Sequence, residues 1–493
     1  MTESTAERRR LDGSLASSVG WTAVAKVITQ LFAWVLTFLV ARILSPSDFG
    51  LYGMASVFFW AVFAIGEFGL GSAIIKQRDL SERQIAQING FMVLTGLASA
   101  AVVAASAGPL AVFFHEPALH EIILAASVMF VIASFRNVPN ALLQRELRFK
   151  RLAFNESLRA GVMAVSVFGL ALLGFGVWSL VLGNILATLV GTLDLLGAQP
   201  HRLEFPHAGT IRAATTFGRD VVITRFSWYA MFNADFLVAG RTLGKAALGI
   251  YSFAWTLASL PVEKISLLVT RVSMPHFSAV QHQPTELMRY LRLMTGGLAF
   301  ITFPAAIGIG ILAEDLVRIA LGDQWLGVVL PLQILAVVAP LRAVGTLFPQ
   351  LIPVLNQTRF GVIHGISALA FLVVAFWVGS HWGTTGIATA WVVAYPLMIA
   401  PIALRVCQGI GLRFRDYLRW LAPPATGSVI MGGAVLAARA VLLGGLPLVP
   451  RVIAEVAMGL AVYGLSAWIL DRDRILGALA IVRRQRAGQP VAL

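Results

Sequence analysis

Apolar runs of about twenty residues, cut by short polar stretches, recur from one end of the chain to the other. At 1.5 Å rise per residue, such a run spans the roughly 30 Å hydrocarbon core of a bilayer. The pattern predicts about fourteen membrane-spanning helices. They cover residues 19–40, 49–74, 88–107, 122–143, 152–173, 177–196, 215–238, 248–269, 293–313, 326–351, 362–378, 385–403, 421–442 and 453–470. The longest loop between spans on the side opposite the termini, 313–325, is too short to fold as a domain. The predicted fold class is therefore all-α and polytopic, because helices satisfy their own backbone groups in lipid.

The pattern also repeats. Arg42-Ile-Leu44-Ser45-Pro46-Ser47-Asp48-Phe49-Gly50-Leu51-Tyr52 matches Arg241-Thr-Leu243-Gly244-Lys245-Ala246-Ala247-Leu248-Gly249-Ile250-Tyr251, and both copies lie where one span ends and the next begins. The same offset carries Lys26 onto Arg225, and Ala133-Ser-Phe-Arg136-Asn-Val138 in span 4 matches Ala339-Pro-Leu-Arg342-Ala-Val344 in span 10. Spans 1–6 and 7–12 thus form two six-helix lobes, related by an axis along the membrane normal because six is even. The expected organisation is an N-terminal tail (1–18), an N-lobe (19–200), a linker containing Pro206 (201–212) and a C-lobe (213–406), followed by spans 13 and 14 (407–470) and a basic tail (471–493). The last two spans stand outside the duplication.

Composition agrees with membrane residence: 58% of the 493 residues are hydrophobic and 13% charged, against about 25% charged in soluble chains. The net charge of +14 does not indicate nucleic acid, because the cations sit in short loops rather than in a basic stripe interleaved with aromatics. About 26 of the 38 Lys and Arg fall on the side of the N-terminus, about 5 on the other side and about 7 within spans. Both termini are accordingly expected in the cytoplasm, with the basic loops against anionic headgroups of the membrane lipids. The one cysteine, Cys407, excludes an internal disulfide and a thiolate metal cluster. His115-Glu116-Pro117-Ala118-Leu119-His120 has one residue too many for a zinc-binding helix and is interrupted by proline. No nucleotide-binding loop is present, and neither a cofactor nor a metal is expected.

Cations inside apolar spans are costly and persist where a partner, an aqueous cavity or a function holds them. From the helix rise, Lys26 and Arg225 lie about 10 and 15 Å from the cytoplasmic ends of their spans, and Arg136 and Arg342 about 21 and 24 Å from the opposite face. All four fall in the cytoplasmic half. They either surround one anion, for which a diphosphate fits best, or snorkel separately to the headgroups. The embedded acids include Glu67, Asp235 and Glu263, with Lys264 beside the last, and also Glu156, Asp194 and Glu455. Such acids serve either as protonatable or ion-coupling groups or as neutralising partners that hold helices together.

The stretch Val40-Ala41-Arg42 through Tyr52, together with Glu67-Phe-Gly-Leu-Gly71, Leu142-Leu-Gln-Arg145-Glu-Leu-Arg148-Phe-Lys150, Asp235 before Leu248-Gly-Ile-Tyr251, and Pro275, resembles the bacterial polysaccharide transporters of the Wzx type. These flip lipid-linked oligosaccharide repeat units and belong to the multidrug/oligosaccharidyl-lipid/polysaccharide exporter superfamily. The resemblance implies fourteen helices around a central cavity, an undecaprenyl-diphosphate-linked oligosaccharide as substrate, the bacterial inner membrane as location, and a polysaccharide polymerase and chain-length regulator as partners. It implies export for exopolysaccharide, capsule or O-antigen, with no enzymatic activity. A lipid II or multidrug exporter of the same superfamily stays open, as does a membrane-embedded glycosyltransferase or polymerase. Span 13, with Pro423-Pro424 and Gly432-Gly433, is expected to kink and to offer a small-residue groove to the polyprenyl tail.

Overall fold

The structure of the chain is a computed structural model that describes residues 32–66, 74–75 and 80–472. Lys26 and Glu67 lie outside the described residues, and so does the side chain of Arg225. Every regular element among the described residues is a helix, as the apolar pattern requires. Nine of these helices are long and apolar enough to cross a membrane, or ten if Asn233–Leu260 and Val262–Ala279, bent by 49°, count as one span. The helices fall into two compact units, Met1–Gly249 and Ile250–Leu493.

The first unit contains α1 (Phe32–Ile43), α2 (Pro46–Gly66), α3 (Glu82–Phe114), α4 (Ala118–Arg145), α5 (Phe149–Leu172) and α6 (Val177–Ala198). It also holds the first arm of α7 (Ala208–Ala279), which breaks at Gly244, where φ is 81° and ψ is −179°. Only glycine reaches that conformation without strain. The two copies of the repeated junction start their helices by different means. In the first, Asp48 N–H donates to Ser45 Oγ (3.2 Å) and Ser45 N–H to Asp48 Oδ2 (2.9 Å), a reciprocal cap on α2. In the second, the bend at Gly244 does the work.

Inside the first unit these two copies pack on each other. A Cβ on Gly50 would lie 1.7 Å from the carbonyl oxygen of Lys245, and one on Gly249 would lie 1.8 Å from that of Pro46. Gly50 and Gly249 occupy equivalent places in the repeat, as do Pro46 and Lys245, so the contact is reciprocal. One salt bridge and one ring contact flank it: Lys245 Nζ lies 2.9 Å from Glu116 Oε2, and Arg241 contacts the His115 ring. Elsewhere in the unit α5 lies against α6 at Gly183, which accommodates Val167, and at Gly191, which accommodates the stem of Arg159. Asp194 is held there by Arg151 (2.6 Å) and by Asn155 (2.8 Å), the neutralising arrangement rather than a transport group.

The second unit holds the rest of α7, then α8 (Pro284–Ile311), α9 (Ala313–Ala320), a short 3-10 turn (Asp323–Val328) and α10 (Val329–Gly345). It continues with α11 (Phe348–Val354), α12 (Thr358–Ser380), α13 (Gly383–Gly409), α14 (Phe414–Ala438) and α15 (Leu448–Leu470). Its core includes Phe277, Leu298, Phe348, Val406 and Tyr417. Span 10, expected over 326–351, is one membrane-length span, Asp323–Val354, within which the helical hydrogen bonding is interrupted between α10 and α11, where Pro349 cannot donate to the preceding turn. The loop expected at 313–325 folds instead as α9 and the start of the 3-10 turn, with Trp325 fully buried.

Helices α14 and α15 are bound to this unit by charge. Asp315 of α9 accepts from Arg439 (2.5 Å) and Arg451 (2.6 Å), and Glu455 of α15 accepts from Arg439 twice at 2.7 Å. Asp315 is 3% and Glu455 1% exposed, so Glu455 too is a charge partner of a buried cluster. Gly432 does not offer a free groove: a Cβ there would meet Ile311 at 3.0 Å and Ile307 at 3.1 Å. Its neighbour Gly433 has no atom within 4 Å of such a Cβ.

Candidate functional site

Among the candidate cations, Arg342 has the most developed surroundings. It sits in the last turn of α10 and is 8% exposed. Two further helices of the second unit build its walls. On the second arm of α7, Tyr251, Trp255 and Ser259 recur every four residues and so share one face. On α13, Trp391 and Tyr395 have the same spacing.

The guanidinium carbon of Arg342 lies 3.9 Å from the centre of the Trp255 ring and 5.4 Å from that of Trp391. Its Nη1 donates to Ser259 Oγ at 3.3 Å. Trp391 Nε1 donates to the Tyr251 hydroxyl at 3.0 Å, which fixes α13 to α7, and the Tyr395 hydroxyl donates to the Arg342 carbonyl at 3.5 Å. Gly345, one turn on, leaves the room that Tyr395 fills. A cation over an indole face gains about 2 kcal/mol when desolvated. That stacking and the Ser259 bond stabilise a charge that would otherwise be expensive in hydrocarbon. A guanidinium is the side chain whose planar fork can bind phosphate oxygens in pairs.

The first unit holds Arg136, half-buried on α4, and Asp235, fully buried on the first arm of α7, whose Oδ1 accepts from Phe236 N–H at 2.9 Å. Glu263 and Lys264 are exposed on the second arm of α7. Reading the duplication through side-chain contacts finds further equivalents. An offset of 199 residues places Tyr52 on Tyr251 and Ser56 on Trp255, and an offset of 207 places Asn184 on Trp391 and Thr188 on Tyr395. Asn184 Nδ2 donates to the Tyr52 hydroxyl at 2.8 Å, the counterpart of the bond from Trp391 to Tyr251. Sequence reading missed the aromatic walls of Arg342, because the repeat offset pairs positions between the halves and does not say which side chains close on the arginine.

A duplicated bundle of membrane-length helices with a desolvated cation inside one half defines the class: a multi-pass membrane transport protein. Residues 39–330, more than half of the chain, match a family of polysaccharide biosynthesis proteins, and the chain belongs to it. It is similar to the lipopolysaccharide biosynthesis protein WzxC of Escherichia coli, 24% identical over 419 residues that cover 82% of this chain and 83% of that protein. It is also similar to the succinoglycan biosynthesis transport protein ExoT of Rhizobium meliloti, 26% identical over 313 residues, 63% of each chain. Among solved structures, the lipid II flippase MurJ in an inward closed conformation aligns with a TM-score of 0.74 at 13% identity, over 92% of this chain and 100% of that one. An inward-facing multidrug resistance MATE family transporter of the MOP superfamily aligns at 0.64 and 16% identity, over 79% and 98%. At such identities the likeness is one of fold.

Proposed function

We propose that the chain flips a polyprenyl-diphosphate-linked oligosaccharide repeat unit across the bacterial inner membrane, with both termini in the cytoplasm, and delivers it to a polymerase and chain-length regulator. The observation that carries this reading is the Arg342 guanidinium, buried among aromatic rings within the membrane bundle and shaped for a phosphate. Membership in a polysaccharide biosynthesis family supports a saccharide cargo, and the MurJ-like fold suits a lipid-linked one. In this reading Lys26, Arg136, Arg225 and Arg342 receive the diphosphate from the two lobes in turn as they rock about the cargo. Asp235, buried from solvent within the bundle, is the acid assigned to ion coupling; Glu67, Glu263 and Lys264 would tune the charge of the path.

The test is made in a deletion strain of the source bacterium carrying the gene on a plasmid. Wild type should restore polymer export, whereas Arg342→Gln or the Lys26→Gln, Arg225→Gln pair should restore none at normal membrane levels, with lipid-linked repeat units accumulating. Full export by these variants would remove the cationic site from the account. Accumulation of lipid II or retention of a drug in the deletion strain, instead of repeat units, would favour the other exporters of the fold.

A further inference from the structure

Asn184 of α6 and Tyr52 of α2 make, in the first unit, the bond that Trp391 makes to Tyr251 in the second. The two donors differ in what they carry besides the N–H. An indole has no acceptor, whereas a primary amide also presents a carbonyl oxygen. Trp391 and Tyr251 are fully buried, while Asn184 and Tyr52 are each half-buried. Either donor fastens one helix to another, so the bond alone does not call for an asparagine. What the asparagine adds is Oδ1.

Among the described residues no group donates to Asn184 Oδ1, and that atom is not buried. The Tyr52 hydroxyl accepts from Asn184 Nδ2 at 2.8 Å and donates to no described group. Neither residue faces lipid. Leu180, Ala187, Gly191 and Leu195, on the same side of α6 as Asn184, are buried, whereas Leu186, Leu189 and Leu193 on the opposite side are exposed. The Tyr52 ring packs on the cluster that includes Val40, Val167 and Leu180. An open acceptor and an open donor thus lie side by side on the inner face of a span, where a polar group without a use is costly. A Cβ on Gly176, just before α6, would lie 3.3 Å from Asp48 Oδ1 in the first turn of α2, so both helices start at one end. By the helix rise the pair lies about 10 Å from that end, and Arg136 about 21 Å from it. A diphosphate at the level of Arg136 therefore leaves the attached sugars at the level of Asn184.

We propose that Asn184 is the saccharide-recognising residue of the first unit: its Oδ1 accepts from one sugar hydroxyl while the Tyr52 hydroxyl donates to the adjacent one. One acceptor beside one donor is the complement of two neighbouring hydroxyls on a pyranose ring. This rests on the flippase reading above and adds to it the residue that tells a glycosylated lipid from a bare one. A site built to hydrogen-bond a hydroxyl rejects a ligand that lacks it, because the polar atoms of the site are then left unpaired.

The experiment uses purified full-length protein in detergent and two probes, undecaprenyl diphosphate and undecaprenyl-diphosphate-glucose. Affinities are measured for wild type, Asn184→Leu and Tyr52→Phe. Leucine keeps the size of asparagine and removes the acceptor, and neither residue contacts a cation. Asn184→Leu should weaken binding of the glucosylated lipid by up to about tenfold, the size of one hydrogen bond, and change the bare lipid by less than about twofold. Tyr52→Phe removes the donor but leaves Oδ1 in place, so its loss should be smaller and again confined to the glucosylated lipid. A purely structural bond between the helices would weaken both lipids alike in both variants. That result, an unchanged affinity of Asn184→Leu for the glucosylated lipid, or a larger loss in Tyr52→Phe than in Asn184→Leu would overturn the assignment. Wild type binding neither lipid would instead bring down the flippase reading itself.

Discussion

At Arg342 the chemistry depends on a flat cation, because the guanidinium stacks on Trp255 while its Nη1 reaches Ser259. A lysine would carry the charge without the plane or the fork. Arg342→Lys should therefore cut polymer export about tenfold, equivalent to about 1.4 kcal/mol. Arg225→Lys should retain part of its function, since the equivalent residue in the first repeat is already Lys26. Assaying both in the complemented deletion strain decides it, and equal effects would mean that stacking does not matter. A second residue-scale expectation concerns Gly50, where an added methyl would collide with the backbone of Lys245 at 1.7 Å. Gly50→Ala should lower stability by about 3 kcal/mol or more, since neither backbone can yield. Gly433→Ala, with nothing within 4 Å, should be neutral or slightly stabilising. Thermal midpoints of the two purified variants check this, and like values would refute the close approach.

At the scale of elements, α9, α14 and α15 meet through Asp315, Arg439, Arg451 and Glu455. Removing one member strands a buried charge, so Glu455→Gln should destabilise the protein by about 3–5 kcal/mol. The effect is read as a lowered unfolding midpoint and faster proteolysis after the 443–448 turn; an unchanged midpoint would show that the cluster contributes nothing. Of this cluster the sequence showed only Glu455, with neutralising a cation and holding helices together as one of its two readings. Glu455 stood out as an acid in an apolar run, but its partner Arg439 opens the π-helical turn Arg439–Leu443 that follows α14, and Asp315 lies 124 residues before Arg439. Periodicity carries no information on such pairings. The helices themselves were legible, because a bilayer demands twenty apolar residues wherever it is crossed. Interruptions within a span were not, as at the junction of α10 and α11, where Pro349 withdraws a hydrogen bond without ending the span.

For the whole molecule, the duplication was the most legible feature of the sequence, and its pairing of Gly50 with Gly249 is met by the reciprocal contact of those two glycines. It could not tell that the paired sites had diverged, since that depends on which side chains surround each one. Family membership and the buried Arg342 together give the central claim: a transporter for a lipid that is charged in one part and saccharide in another. The most direct measurement is translocation in liposomes containing the purified chain and a polyprenyl-diphosphate-linked oligosaccharide, followed by accessibility of the sugar to a membrane-impermeant reagent. The account predicts that wild type moves the glycolipid to the opposite leaflet, and that Arg342→Gln vesicles behave like protein-free ones. Exchange no faster than in protein-free vesicles, or equal exchange with Arg342→Gln, would contradict it.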